Sequence, residues 1–180
     1  MNTRLHALVI ALVLLGPAGA ALAAGPTPLI PDTPPAGVVS DTEFIRRASE
    51  ASSAESEMSQ LAVNLSIDAE VRGQAGSLVQ DHLRNRDQLQ ALARSKDVDL
   101  SAVHEATYQA AIDDLRNLSG RDFDLAYLRT VRTDHEMLVG LFQGAAAHAT
   151  DADVRKYASD MLPVLQAHLA QAQQLEIKRR

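Results

Sequence analysis

Cysteine is missing from this 180-residue chain. That excludes disulfides, thiolate metal sites, thiol nucleophiles and a lipidated N-terminal cysteine. Serine nucleophile elbows, phosphate-cradling loops and dinucleotide fingerprints are missing too, so no catalytic motif gives an enzyme activity direct support. Basic charge is short: 17 Lys and Arg stand against 23 Asp and Glu, and the basic residues are dispersed. Such a chain has no electrostatic footprint for nucleic acid. The terminal "IKRR" is a small basic patch that reads as a solvated end. Alternation of apolar and polar residues never persists, so no strand pattern competes with a helical one.

What is present begins with "MNTRLHALVIALVLLGPAGAALAAG". Arg4 supplies a charged start, Leu5 to Leu15 a short apolar core, and Ala21-Leu22-Ala23 a small-x-small cleavage site, the pattern of a secretory signal over 1–24. The apolar run is short for a bilayer and is broken at Gly16-Pro17. No later segment is apolar enough to span, so the mature chain is expected to be periplasmic or secreted. Removing the leader takes away Arg4 and no acidic residue, leaving 16 basic and 23 acidic side chains and a charge of −7. Residues 25–39 then hold five of the seven prolines. A segment of that composition cannot bury enough surface to order itself and is expected to be an extended tether.

From Ser40 the pattern is helical. Ser40 with Glu43 forms a capping box. Periodicity predicts long helices at 42–66, 69–96, 122–148 and 152–177, with a shorter one at 102–118. Asp68 and Ser101 are expected to cap the second and the short helix, and Thr150 with Asp153 the last. Gly120 is placed to end the short helix. Pro163 falls inside the last helix, where it removes a backbone donor. Tight turns make two antiparallel hairpins, and about 25 residues between them are long enough to climb most of a bundle. One long crossover between two hairpins predicts an all-α, ferritin-like four-helix bundle over residues 40–178.

Rotation at about 100° per residue puts one polar candidate on each inner face. Glu55 shares a face with Phe44, Ala48, Ala51, Met58, Ala62 and Leu65. His82 lies among Val71, Ala75, Leu78, Leu89 and Ala93. Asp134 and His135 lie on the stripe of Phe123, Tyr127, Val131, Leu138, Leu141 and Phe142, and His168 on that of Leu162, Leu165, Leu169, Ala172 and Leu175. Counting from the two turns puts Glu55 level with His82 and His135 level with His168. Four such groups cannot be buried without mutual satisfaction except at several kcal/mol. Either they form a hydrogen-bonded structural layer, or they share one divalent ion such as zinc, iron, copper or manganese. Asp81, Asp134 and Tyr127 are the expected supports around such a centre. No Glu-x-x-His occurs, which argues against a di-iron carboxylate centre. Met58 and Met161 read as core filler, and His104 and His148 as surface residues. Gly140 and Gly144 face outward and offer room for a close neighbour, the crossover helix or a second subunit.

The stretches "AESEMSQLA", "LVQDHLRNRDQLQALA", "LSGRDFDLAYLRTVRTDHE" and "LPVLQAHLAQAQQL" resemble the domain-of-unknown-function 4142 family over residues 40 to 177. Glu55, His82, Phe123, Asp124, Tyr127, His135, Pro163 and His168 match its motif positions. Members are exported bacterial proteins of ferritin-like fold, many carrying an outer-membrane label. The resemblance implies export and the bundle, and no established activity. Envelope association or a homodimer stays open as a partner, and so does the alternative of a non-catalytic envelope or stress-related interaction protein whose polar layer is purely structural.

Overall fold

The computed structural model describes residues 39–101 and 105–179. The expected leader, the tether up to residue 38, His104 and the predicted start of the short helix lie outside the described residues. Five helices follow in order: α1 (Asp41–Leu65), α2 (Ala69–Ser95), α3 (Glu105–Arg116), α4 (Gly120–His148) and α5 (Ala152–Arg179). No strand occurs among the described residues.

The helix starts follow their polar residues. The backbone N–H of Glu43 donates to Ser40 Oγ at 3.2 Å, and those of Glu70 and Val71 donate to Asp68 Oδ1 at 2.8 and 3.1 Å. The start of α5 differs from expectation. Asp151 Oδ1, not Thr150, accepts the N–H groups of Asp153 and Val154 at 2.8 and 3.2 Å. The Thr150 hydroxyl is occupied elsewhere, donating to Asp41 Oδ2 at 2.5 Å. Gly120 opens α4 rather than ending α3. Its φ of +59° makes the bend there, in the left-handed region where a side chain is strained. Helix α5 runs on through Pro163, whose missing N–H deprives the Ser159 carbonyl of its usual partner.

Contacts at the bundle ends set the topology. Thr150 and Asp151, in the α4–α5 turn, donate to Asp41 at the start of α1. Lys96, just after α2, pairs with Asp151 and Asp153 at that same end. At the other end Arg179 of α5 grips Asp68 before α2, and Arg121 of α4 donates to the Arg179 carbonyl. Helix α2 therefore finishes at one end and α4 begins at the other. The connection carrying α3 travels the length of the bundle, and α3 packs against α1 and α4.

The interior is two apolar cores rather than one. One contains Met58, Leu78, Ile112, Phe123, Leu128 and Val131. The other contains Phe44, Ile45, Leu89, Leu138, Phe142 and Leu165. Along every long helix the change from one core to the other falls at the polar candidate. On α1 the change lies between Ala51 and Ala54, just before Glu55; His82 and Asn85 lie between Leu78 and Leu89, His135 between Val131 and Leu138, and His168 between Leu165 and Ala172. A polar layer divides the bundle at mid-height. Leu65, expected on the inner face, is exposed at the end of α1. A Cβ added at Gly140 or Gly144 would meet nothing within 4 Å, so no element of the described chain approaches there. His148 is exposed and Met161 partly buried, packed against the second core.

Candidate metal centre

Three imidazoles meet in the polar layer. His82, His135 and His168 are buried, and their ring centroids form a triangle with sides of 5.3, 5.7 and 5.9 Å. One ring nitrogen from each lies within 4.8 Å of one from each of the others, an arrangement that could hold a metal ion.

The surroundings decide which nitrogens carry protons. His135 Nδ1 stands 3.0 Å from the Val131 carbonyl and 3.2 Å from Glu55 Oε1. Both are acceptors, so Nδ1 carries the hydrogen. The hydrogen points at the carbonyl. Glu55 is therefore held by charge, and neither of its fully buried oxygens has a hydrogen bond. His168 Nε2 donates to Asp81 Oδ2 at 2.9 Å, and Asp81 is itself paired with Arg84. That leaves the lone pairs of His135 Nε2 and His168 Nδ1, which face each other at 3.3 Å. His82 Nδ1 lies 3.4 Å from Ser52 Oγ, and its Nε2 is buried with no hydrogen-bond partner.

Without an ion, such facing nitrogens need a shared proton. Burial works against a charge on His135, but the adjacent Glu55 carboxylate outweighs it and raises the His135 pKa. Burial likewise works against charge on Glu55, and His135 outweighs that, lowering the carboxyl. The other two imidazoles are kept neutral. Burial, with the charges of its histidine neighbours, lowers His82 to about 4, and burial with His135 lowers His168 against the pull of Asp81. The trio holds one proton comfortably, on His135.

The remaining sequence candidates lie around this group. Asp134 is buried beside His135. Its charge reaches Tyr108 of α3, whose pKa is raised by burial and by nearby carboxylates. Tyr127 is two turns below, in the first core, its hydroxyl 3.0 Å from Ser59 Oγ and its ring stacked on Phe123. Ser52, Asn85 and Tyr157 were not among the sequence candidates. They form a hydrogen-bonded chain ending at His82. The signal was there in part: Ser52 is three residues before Glu55 and Asn85 three after His82, each on the same helix face as its neighbour.

Residues 27–175 match the family described as Domain of unknown function (DUF4142). The chain belongs to that family. No curated protein matches the sequence. Among solved structures, this DUF4142 bundle is similar to a DUF305 protein from Streptomyces coelicolor. The two share 20% identity and a TM-score of 0.67 over 77% of this chain and 93% of that one. It is also similar to CopM in its Cu(II)-bound form, with 16% identity and a TM-score of 0.68 over 80% of this chain and all of CopM. At these identities the likeness establishes the shared helical-bundle fold alone. Among the described residues no helix is long and apolar enough to cross a membrane.

Proposed function

We propose that this protein binds one divalent transition-metal ion at the centre of its bundle, with His82, His135 and His168 as ligands. The observation that carries the reading is the convergence of three buried ring nitrogens within 4.8 Å, two of them with lone pairs facing at 3.3 Å. Two ligands about 2.05 Å from a tetrahedral zinc ion stand roughly 3.3 Å apart. That pair is already spaced for an ion, and the third nitrogen must close by a further ångström or so.

Glu55 and Asp81 are the carboxylates that orient the ligands. Each meets the far nitrogen of a ligating ring, Glu55 behind His135 and Asp81 behind His168, the arrangement that fixes tautomer and raises ligand basicity. Two carboxylates also balance a 2+ ion among neutral imidazoles. This assigns Glu55 to the shell around the ligands rather than to the ion itself. Asp134 and Tyr127 support the layer from farther out. A purely structural polar layer explains the one proton on His135. It leaves His82 Nε2 buried with no hydrogen-bond partner, a polar atom stranded at a cost in stability.

Three imidazoles favour copper(II) and zinc over iron(II), and all of these over manganese, which prefers oxygen donors. CopM, which shares the helical-bundle fold, is itself described in a Cu(II)-bound form, which makes copper(II) a first ion to test. The leader pattern of the sequence supports export, and with it a metal-binding role in the periplasm or outside the cell. Metal analysis of untagged protein purified from the periplasm, followed by titration of the stripped protein with each ion, tests the reading.

A further inference from the structure

We propose that Ser52, Asn85 and Tyr157 are positioning residues of the metal centre. Together they fix His82 as its Nδ1–H tautomer, so that Nε2 is the atom presented to the ion. The proposal rests on the metal reading of the trio and supplies what that reading lacks. His135 and His168 each have a carboxylate behind the ring, whereas His82 Nδ1 faces a hydroxyl, Ser52 Oγ.

The direction of the chain follows from counting donors. A serine hydroxyl has one hydrogen to give and two lone pairs. The hydrogen of Ser52 goes to the His82 backbone carbonyl at 3.0 Å. One lone pair takes the Asn85 Nδ2–H at 3.3 Å. What remains for His82 Nδ1, at 3.4 Å, is the second lone pair, so the ring must donate. Tyr157 sets the polarity from the outer end. Its hydroxyl donates to Asn85 Oδ1, which holds the amide with its NH₂ toward Ser52. Ser52 and Asn85 are buried. Tyr157 is less so, and it borders a surface cavity of about 380 Å³ with Gln88, Lys156 and Met161. The chain thus runs from the surface of α5 through α2 and α1 to the back of the ring.

The consequence is a mixed ligand set, Nε2 of His82, Nε2 of His135 and Nδ1 of His168. No motif spacing in the sequence specifies it. If the chain were broken, Ser52 could turn its hydrogen toward His82 Nδ1 and the proton could settle on Nε2, which removes the lone pair the ion needs.

The test uses histidine labelled with ¹⁵N in the untagged, chelator-treated full bundle. Ring-nitrogen shifts read the tautomer directly, in a protein without metal. The native protein should show His82 protonated at Nδ1. Ser52→Ala should populate the Nε2–H form and weaken zinc binding about 10- to 100-fold, the range for losing an orienting partner. Tyr157→Phe keeps the packed ring and should move both readouts in the same direction by a smaller, severalfold amount. A native His82 protonated at Nε2, or a Ser52→Ala protein with unchanged tautomer and unchanged zinc affinity, overturns the proposal. Failure of the native protein to bind zinc or copper would instead sink the metal reading, and the ring-nitrogen spectrum would still decide the tautomer.

Discussion

His135 Nε2 and His168 Nδ1 face each other at 3.3 Å inside the bundle, each with its other nitrogen already engaged, by the Val131 carbonyl and by Asp81. Two lone pairs so placed repel unless a proton or a cation lies between them. That relationship sets most of what the protein should do in solution.

With the metal removed, stability should peak near neutral pH. His82 is lowered to about 4 in the folded state, against about 6.5 when unfolded. Between those values the unfolded chain binds the extra proton. This contribution is therefore full above pH 6.5 and lost as pH falls toward 4, by up to about 3 kcal/mol. His168 is lowered in the same direction. His135 is raised, so its contribution is full below pH 6.5 and lost as pH rises through its folded value. Urea unfolding of chelator-treated protein from pH 4 to 8 should show both limbs, and His82→Asn should flatten the acid one. A flat profile in the native protein would contradict the assigned protonation.

Glu55→Gln should remove the charge that holds the proton on His135. We expect the His135 titration to move to lower pH in the metal-free protein, read from its ring resonances. Metal affinity should fall about 10- to 100-fold, as for other orienting carboxylates. An abolished site with no change in the His135 titration would mean that Glu55 is a ligand and not the partner of His135.

Asp151→Ala should destabilise the fold by about 1 kcal/mol through loss of the α5 cap. It also removes one partner of Lys96. Thr150→Ala leaves the cap intact and should cost less in the same thermal melts. Equal losses would show that the helix start is held as its sequence suggests, by Thr150.

These cases mark how far the sequence was legible. Apolar residues at 3.6-residue spacing gave four helices within a few residues, and counting from the turns gave the height of each polar residue. Height is a one-dimensional quantity, and it brought the three histidines into one layer. It does not say which side of a ring a neighbour meets. That the fold sets Glu55 against Nδ1 of His135 is a contact that height alone does not give. Thr150 and Asp151 are both good caps, and only the position of Asp41 decides between them. Ser52 and Asn85 carried little signal alone, because such residues are common on helices. Their meaning depends on Tyr157, 72 positions from Asn85.

Leu78 is fully buried beside the layer. Leu78→Ala should cost about 2–5 kcal/mol through lost burial and a cavity, and it should leave the metal affinity of the folded protein nearly unchanged. A collapse of affinity in protein that melts cooperatively would tie the site to the core rather than to the polar layer.

The most direct measurement is the melting temperature of untagged native protein and of His168→Leu, each with zinc or copper(II) and then with excess chelator. An ion that binds only the folded state at a hundredfold excess over its Kd adds about 2.7 kcal/mol. For a bundle of this size that is roughly 5–10 °C. The account predicts that chelator lowers the native melting temperature by such an amount and leaves His168→Leu almost unmoved. Identical native melting curves with and without chelator, at saturating zinc, copper, iron and manganese in turn, would contradict it.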